Sequence, residues 1–221
     1  MSIRAIVTGS TGMVGEGVLY ECLKNPTVEA VLVINRKPCG VNHPKLKEII
    51  HSNFFDFSAI ESQLSGYNAC YFCLGVSSVG VSKEDYERFT YQLTMHVATT
   101  LAKLNPDMTF CYVSGSRTDS TEKGSIRWAR VKGKTENSLM KLPFKQAFMF
   151  RPGYIHPAPG MKNTQKGYKY ITWMYPLLKA ISTNYACKLE DIGRAMIRVT
   201  LSGYEKQILE VPDIIKASQS L

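Results

Sequence analysis

"VTGSTGMVGEG", residues 7–17, is the stretch that decides the fold class of this sequence. It follows an apolar run at 3–9 and leads into an amphipathic stretch at 13–25 that has the periodicity of a helix. Glycines at 9, 12 and 15 give the spacing G-x-x-G-x-x-G between a predicted buried strand and a predicted helix. A glycine-rich turn in that context is typical of folds that bind a dinucleotide pyrophosphate at a helix N-terminus.

Each glycine of this turn has a predicted part. Gly9 permits the tight turn, Gly12 lets the backbone approach a pyrophosphate, and Gly15 lets the helix pack closely. The free N–H groups and the positive end of the helix dipole would face the phosphates. The other candidate cofactor contacts of the turn are Ser10, Thr11, Met13 and Val14.

Predicted strands and helices alternate along the chain. The predicted strands are at 3–9, 30–35, 46–50, 69–75, 108–114 and 146–153. The predicted helices between them are at 13–25, 59–64, 83–104 and 126–141. The side chains expected to face inward from the third helix are Phe89, Leu93, Val97, Leu101 and Leu104. The alternation predicts an α/β fold of the Rossmann type, with a doubly wound parallel sheet.

We expect residues 1–221 to form a single domain. Residues 1–151 would make the dinucleotide-binding Rossmann core. Residues 152–221 would mostly form a small substrate lobe, whose final helix and strand return to the core. A Pro- and Gly-rich loop opens this lobe, and the helix at 190–203 and the strand "QILEV" are predicted in its second half.

The composition, 44% hydrophobic and 20% charged, is that of a globular protein. The six cysteines are scattered and fit a reducing cytoplasm, which is the expected location. We do not expect the residues before the glycine turn to form a signal peptide, because they contain no long apolar stretch. The longest apolar candidate for a membrane segment, at 170–181, is too short and is broken by Pro176 and Lys179. The four histidines are too dispersed to predict a metal site.

The net charge of +9 is local rather than spread evenly. Residues 1–100 carry 8 Lys/Arg against 9 Asp/Glu, whereas residues 117–169 carry 12 against 3. This excess predicts either a solvated surface or a groove for an anion, such as a cofactor phosphate or an acidic substrate. Nucleic acid is the weaker alternative, because no recognised binding motif accompanies the charge.

The end of the second predicted strand bears on which dinucleotide binds. NAD-binding proteins place an acid there for the ribose hydroxyls, but this sequence has Asn35, Arg36 and Lys37. Arginine and lysine suit a 2′-phosphate, and arginine can bind it bidentately. The sequence therefore favours NADP(H) over NAD(H), with a basic loop facing solvent as the alternative.

Two further strand ends contribute candidate cofactor contacts. Asp56 and Phe57 follow the third strand, and the Asp56 carboxylate could accept from an adenine amino group or cap a helix at 57–64. Leu74 and Gly75 end the fourth strand, and Gly75 would let the backbone pass close to the cofactor.

These features together resemble the short-chain dehydrogenase/reductase superfamily, in its extended or atypical branch. The sequence is most similar to the nucleoside-diphosphate-sugar epimerase-like and Tat-interacting oxidoreductase-like members. The motifs that carry the resemblance are "TGSTGMVG" at 8–15, "NFFDF" at 53–57, "FCLG" at 72–75, "YVSGS" at 112–116, "RVKGKTE" at 130–136, "FRPG" at 150–153 and "LEDIGRAM" at 189–196.

The resemblance implies a bound nicotinamide dinucleotide and hydride transfer to or from a carbonyl or alcohol carbon. Lys132 matches the family lysine, which would bind the nicotinamide ribose and lower the pKa of a neighbouring phenol. Ser114 or Ser116 matches the family serine, with the register open, and Pro152 and Gly153 match the turn that borders the nicotinamide. The family also implies a homodimer as one possibility, formed through the helices at 83–104 and 126–141.

Trp128 stands where the family has its catalytic tyrosine, four residues before Lys132. An indole N–H is only a donor and does not titrate usefully, so another group would have to replace the acid. Tyr154 is the first candidate, and Thr118 or a serine-held water are others. Arg127 and Arg130 flank Trp128 and either meet an anionic substrate or remain solvated.

Three functions stay open from the sequence. The first is an NADP(H)-dependent reductase or epimerase-like enzyme that acts on a small carbonyl or alcohol substrate with a substituted acid. The second is a cofactor-binding scaffold or regulator without catalysis. The third is an adaptor that uses the charge of residues 117–169 to bind a membrane or nucleic acid.

Overall fold

The computed structural model describes residues 2–158, 160–163 and 185–219. Nine strands lie in these ranges, and seven of them form one sheet. The strands are β1 Ile3–Thr8, β2 Val28–Asn35, β3 Leu46–Ile50, β4 Ala69–Phe72, β5 Thr109–Val113, β6 Gln146–Arg151, β7 Tyr154–His156, β8 Ala186–Lys188 and β9 Ile208–Glu210.

The seven-stranded sheet is parallel throughout and has the order β3-β2-β1-β4-β5-β6-β9. The chain first builds outward from β1 to β3 and then crosses back to β4, so the strand order reverses between β1 and β4. The carboxyl edge at such a reversal is where open α/β sheets bind ligands. The predicted Rossmann-type fold is confirmed.

Helices cover both faces of the sheet. They are α1 Met13–Lys24, α2 Lys83–Glu87, α3 Leu93–Leu104, α4 Arg127–Leu139, α5 Leu189–Ser202 and α6 Val211–Ser218. One apolar core lies between the sheet and α1, α5 and α6, and the other lies on the opposite face under α3 and α4. Both faces of the central strands are therefore buried, which explains their continuous Val, Ile and Cys runs.

The predicted helix at 83–104 contains a π-helical turn. Residues Arg88–Gln92 adopt this wider turn between α2 and α3. The turn shifts the helix out of phase, so that Val97 and Leu101 are fully buried as predicted while Phe89 is 38% exposed. The prediction that Phe89 faces the core is wrong for this reason.

Other predicted elements differ in detail. The helix expected at 59–64 is only a short 3₁₀ turn at Glu61–Gln63. The loop expected after Pro152 contains β7, which pairs in parallel with β8 to form a second sheet. The apolar segment at 170–181 lies outside the described residues. Among the helices that are described, none has the length and apolar character needed to cross a bilayer.

Candidate active site

The glycine turn between β1 and α1 is too tightly packed for side chains at two positions. Gly9 has a φ of +73°, and a methyl group placed on it would lie 2.7 Å from the carbonyl oxygen of Cys73. A methyl group on Gly15 would overlap the Gly9 carbonyl oxygen. The turn is closed by the Gly12 N–H, which donates to that same oxygen at 2.9 Å. Gly12 itself is exposed, so its backbone is open to a ligand.

The other residues of the turn separate into exposed and inward-facing groups. Thr11 is exposed, whereas Met13 and Val14 are half-buried against the core. Ser10 is buried and its hydroxyl donates to Asn35 Oδ1 at 2.9 Å. This bond joins the turn to the end of β2.

Glu48 is a carboxylate at this edge that sequence reasoning missed. Asn35 Nδ2 donates to Glu48 Oε1 at 2.7 Å, and the backbone N–H of Cys39 donates to the same oxygen at 2.9 Å. The carboxylate comes from β3, which lies beside β2 in parallel register. An acid therefore lies near the end of β2 after all, although it is engaged by these two donors. The strand pairing is the signal that could have revealed it.

A cavity of about 260 Å³ opens beside the ends of β2 and β4. It brings together three predicted cofactor contacts, Arg36, Leu74 and Gly75, with two residues from the helical turn after α2, Arg88 and Phe89. Phe55 also lines it, and the Arg88 guanidinium lies 5.0 Å from the centre of the Phe55 ring. Among the described residues that line the cavity, none is acidic. Two arginines thus face it without a carboxylate in its wall.

Three predicted cofactor residues lie outside this wall. Lys37 is exposed beyond the end of β2. Asp56 Oδ1 accepts from the Ser58 N–H at 2.9 Å, and its hydrogen bonds with Ser58 lower the pKa of the Asp56 carboxyl. Phe57 is buried in the core with its ring edge-on to His51 and His96. The two alternatives for Asp56 are an adenine contact and a cap for the residues after it. The structure shows a capping contact, with the Ser58 N–H.

Lys132 lies at the carboxyl end of β5, close to the turn that follows β6. Its Nζ donates to the carbonyl oxygen of Ser114, and a methyl group placed on Gly115 would lie 3.9 Å from both Nζ and the Pro152 oxygen. Burial lowers the pKa of the Lys132 ammonium to about 8, against the opposing effect of the Glu136 charge. The structure therefore brings Lys132, Ser114 and Pro152 together.

The two candidate serines differ in burial and in the hydrogen bonds that they make. The Ser114 hydroxyl is buried and donates to the Glu136 carboxylate, while the Phe150 carbonyl oxygen lies 3.1 Å from the same Oγ. Ser116 is half-buried, and its N–H donates to the Pro152 carbonyl oxygen at 2.8 Å. No hydrogen bond of the Ser116 hydroxyl is present within the described part of the chain.

A buried ion pair lies beneath Lys132. Glu136 has no exposed surface, and Arg151 donates to it through Nε and Nη2. Arg151 also contacts Glu210 at 3.2 Å, which ties β6 to β9. Glu136 is one helical turn after Lys132 on α4, so the ion pair and the lysine share a face. Sequence reasoning missed both members, although the spacing of Glu136 from Lys132 was visible.

The remaining candidates surround this cluster. Trp128 is the second residue of α4, half-buried, and lies one turn before Lys132. Tyr154 begins β7, where its N–H donates to the Tyr185 carbonyl oxygen at 2.8 Å. A methyl group on Gly153 would overlap that same oxygen, so the turn after Pro152 is tightly packed.

Arg127 and Arg130 both donate to backbone carbonyls, of Val81 and Gly124 respectively. The structure thus gives these two predicted anion contacts partners within the chain.

The sequence of residues 5–123, more than half of the chain, matches the model of the family described as NAD dependent epimerase/dehydratase. The chain belongs to this family. The family description names NAD, so a nicotinamide dinucleotide is supported as the cofactor, and the resemblance to the short-chain dehydrogenase/reductase superfamily is confirmed.

Solved structures agree on the fold of this family member. The Bordetella bronchiseptica enzyme WbmF, solved with NAD⁺, is 14% identical with a TM-score of 0.67, over 99% of this chain and 77% of that chain. A dTDP-glucose 4,6-dehydratase from Streptomyces venezuelae, solved with NAD, is 16% identical with a TM-score of 0.67. The match covers 95% of this chain and 75% of the dehydratase chain.

A curated relative of this epimerase/dehydratase family member is the protein FMP52-2, mitochondrial, of Scheffersomyces stipitis. It is 27% identical over 158 residues, which make up 70% of this chain and 67% of the relative. Further relatives from that yeast and from Candida albicans also carry FMP52 names with the same location. The expected cytoplasmic location is wrong, because these names point to a mitochondrial location instead.

Proposed function

We propose that this protein is an NADP(H)-dependent oxidoreductase that acts on a small carbonyl or alcohol substrate. The observation that carries the proposal is the cavity lined by Arg36 and Arg88, in which none of the lining residues that the structure describes is acidic. The glycine turn supplies a place for the pyrophosphate. The Lys132 cluster, which consists of Lys132, Ser114, Ser116, Pro152 and Gly153, supplies a place for the nicotinamide and the substrate. All three lie at the carboxyl edge of the sheet.

The residues of the glycine turn fit a bound dinucleotide. Gly12 is exposed between the end of β1 and the first turn of α1, where free N–H groups point outward. A side chain at Gly9 or Gly15 would collide with neighbouring backbone atoms, so the compact turn requires glycine at both positions. The turn and the N-terminus of α1 would therefore hold the pyrophosphate.

The cavity fits the adenosine end with a 2′-phosphate. Arg36 would bind the phosphate oxygens, and Arg88, stacked near the rings of Phe55 and Phe89, adds a second guanidinium. Glu48, the acid nearest the end of β2, is already engaged by Asn35 and Cys39. It is therefore less available to accept from ribose hydroxyls, and this arrangement supports NADP(H) over NAD(H).

The Lys132 cluster would hold the nicotinamide end and the substrate. Lys132 would bind the ribose, with Pro152 and Gly153 beside the ring. Ser116, whose hydroxyl is half-buried, is the better candidate to orient a substrate oxygen, because the Ser114 hydroxyl is turned toward Glu136. A reduced nicotinamide bound there supplies the hydride that a carbonyl carbon accepts.

A binding titration tests this proposal. We expect NADPH to bind at least about tenfold more tightly than NADH, since the extra phosphate gains charge-assisted hydrogen bonds. Arg36→Ala and Arg88→Ala should each weaken binding of NADPH and of 2′,5′-ADP while leaving NADH and 5′-AMP little changed.

Lys103→Ala is the matched control for that titration, because it removes one positive charge from the exposed end of α3, away from the cavity. It should bind NADPH like the wild type. Equal affinity for NADPH and NADH, or no binding of either, contradicts the proposal.

Trp128 supports a second candidate function, an NADPH-binding scaffold or regulator without catalysis. An indole at this position offers no titratable proton one turn before Lys132. NADPH oxidation with a panel of aldehydes and ketones separates the two functions. Tight NADPH binding with no turnover across the panel favours the scaffold.

A further inference from the structure

We propose that Lys132 itself donates the proton in this site, in the place of the phenol that Trp128 replaces. The inference rests on the proposed function and assigns a catalytic residue to it. The inference is argued from which side chains near Lys132 can still release a proton.

Two other polar groups beside Lys132, Ser114 and Glu136, are already engaged. The Ser114 hydroxyl donates into the buried Glu136 carboxylate, and Glu136 in turn accepts from Arg151. An arginine cannot release its proton in a protein. The indole of Trp128 donates but does not titrate. Lys132 is therefore the titratable donor that the face of α4 presents beside Pro152.

The ammonium of Lys132 keeps donors for a ligand. It has three N–H groups, and one of them goes to the Ser114 carbonyl oxygen. Within the described ranges no other hydrogen bond of this amine is present. A methyl group placed on Gly115 would lie 3.9 Å from Lys132 Nζ, so the missing side chain leaves space on that side of the amine. A substrate oxygen held by Ser116 would lie on this side.

The charged groups facing Lys132 allow it to lose a proton. Glu136 is on its own helix, and its negative charge would hold the proton on the amine. Arg151 of β6 balances that charge, and Glu210 of β9 lies beyond Arg151. With the carboxylate balanced, burial dominates and lowers the pKa of Lys132 to about 8. A general acid is most effective when its pKa lies near the working pH.

The step is balanced as a carbonyl reduction. The carbonyl carbon gains a hydride from NADPH, which leaves as NADP⁺. The C=O π bond breaks while an O–H bond forms with a proton from Lys132 Nζ. The amine is left neutral and regains its proton from water. The reverse sequence applies to alcohol oxidation, with the neutral amine as the base.

The first test measures the amine in the protein without cofactor. Trace acetylation with acetic anhydride between about pH 6 and pH 11, read by mass spectrometry, reports the ionisation of each lysine. We expect Lys132 to titrate near pH 8. Lys103, exposed at the end of α3, serves as the internal reference.

The second test uses Lys132→Arg, which keeps the positive charge and cannot release a proton. It should still bind NADPH, while reduction of 4-nitrobenzaldehyde falls by about 100-fold. The wild-type rate should fall as pH rises through 8, because the donor is then lost.

Three results overturn the inference: a Lys132 that titrates in the ordinary range, a Lys132→Arg enzyme with the wild-type rate and profile, and a wild type that binds NADPH but reduces no aldehyde. Absence of NADPH binding is distinguishable from these, since it overturns the proposed function and with it this inference.

Discussion

Arg151 Nε lies 3.0 Å and 3.2 Å from the two carboxylate oxygens of Glu136, and the Glu136 side chain is entirely buried. The pair connects α4 to β6 directly beneath Lys132, and Ser114 joins it from β5. Charges that are buried together are balanced only while both are present. Three elements of the candidate site therefore depend on one ion pair.

Glu136→Gln should destabilise the protein by about 3–5 kcal/mol, because the Arg151 charge is left buried without its partner. Urea unfolding at neutral pH measures this change. The exposed pair of Lys134 with Glu87, also on α4, gives the control, since Lys134→Ala should cost under about 1 kcal/mol. Similar losses of unfolding free energy in the two variants would show that the buried pair contributes no more to stability than the exposed pair.

Gly15→Ala should abolish the compact turn, because its methyl group would overlap the Gly9 carbonyl oxygen. We expect a large loss of thermal stability together with loss of cofactor binding. Gly12→Ala is the matched variant, since its methyl group would meet that oxygen only at 3.4 Å and the Gly12 backbone is extended. If Gly15→Ala melts like Gly12→Ala, the close packing of α1 on the turn is not essential.

Lys132 should make stability depend on pH above neutrality. Its pKa is lowered in the fold from 10.5 to about 8, so the unfolded chain binds more protons between these values. Wild-type stability should therefore rise with pH across this window, relative to Lys132→Met, by about 2.5 kcal/mol between about pH 7 and pH 10. Urea unfolding of both proteins at the two pH values gives the difference, in which other titrating groups cancel. A difference that does not change with pH would mean that Lys132 keeps an ordinary pKa.

Glu16→Gln should release residues 160–163 from α1. The buried Glu16 carboxylate accepts the N–H groups of Lys162 and Asn163 at 3.0 Å and 2.8 Å, and an amide can accept at only one of its two positions. Hydrogen exchange of a peptide covering these residues should accelerate by about tenfold, the equivalent of about 1.4 kcal/mol. Glu21→Gln, on the same helix but paired with Arg194, should leave that exchange unchanged. Acceleration in both variants would indicate general loosening of α1.

The sequence was sufficient to predict the parts of the fold that depend on local pattern. The glycine turn, the parallel strands and the amphipathic helix α1 all follow from spacing and hydrophobic period. Through the resemblance, Lys132 and Pro152 were each assigned to the nicotinamide end of the cofactor, and those roles stay predictions. These features need only the residues of one segment, or a motif that many proteins share.

The sequence was not sufficient where distant residues meet. Glu48 reaches the end of β2 through the pairing of β3, and Arg88 reaches the cavity through the π turn. The contact of Ser114 with Glu136 also joins residues 22 positions apart, and no local pattern in the sequence indicates it. The sequence also could not show which basic residues of 117–169 share a surface. Arg151, for example, is buried in the interior and is not part of a basic surface.

The π turn at Arg88–Gln92 also has a consequence for how this cavity can vary between relatives. A regular helix rotates by about 100° per residue, so deletion of one residue from this turn would rotate α2 relative to α3 by about that angle. Val97 and Leu101 would keep their places in the core, while Arg88 and Phe89 would leave the cavity wall. The loss or gain of a single codon here would therefore change which side chains line the cavity in one step. A series of point substitutions would have to pass through several intermediate proteins to reach the same result.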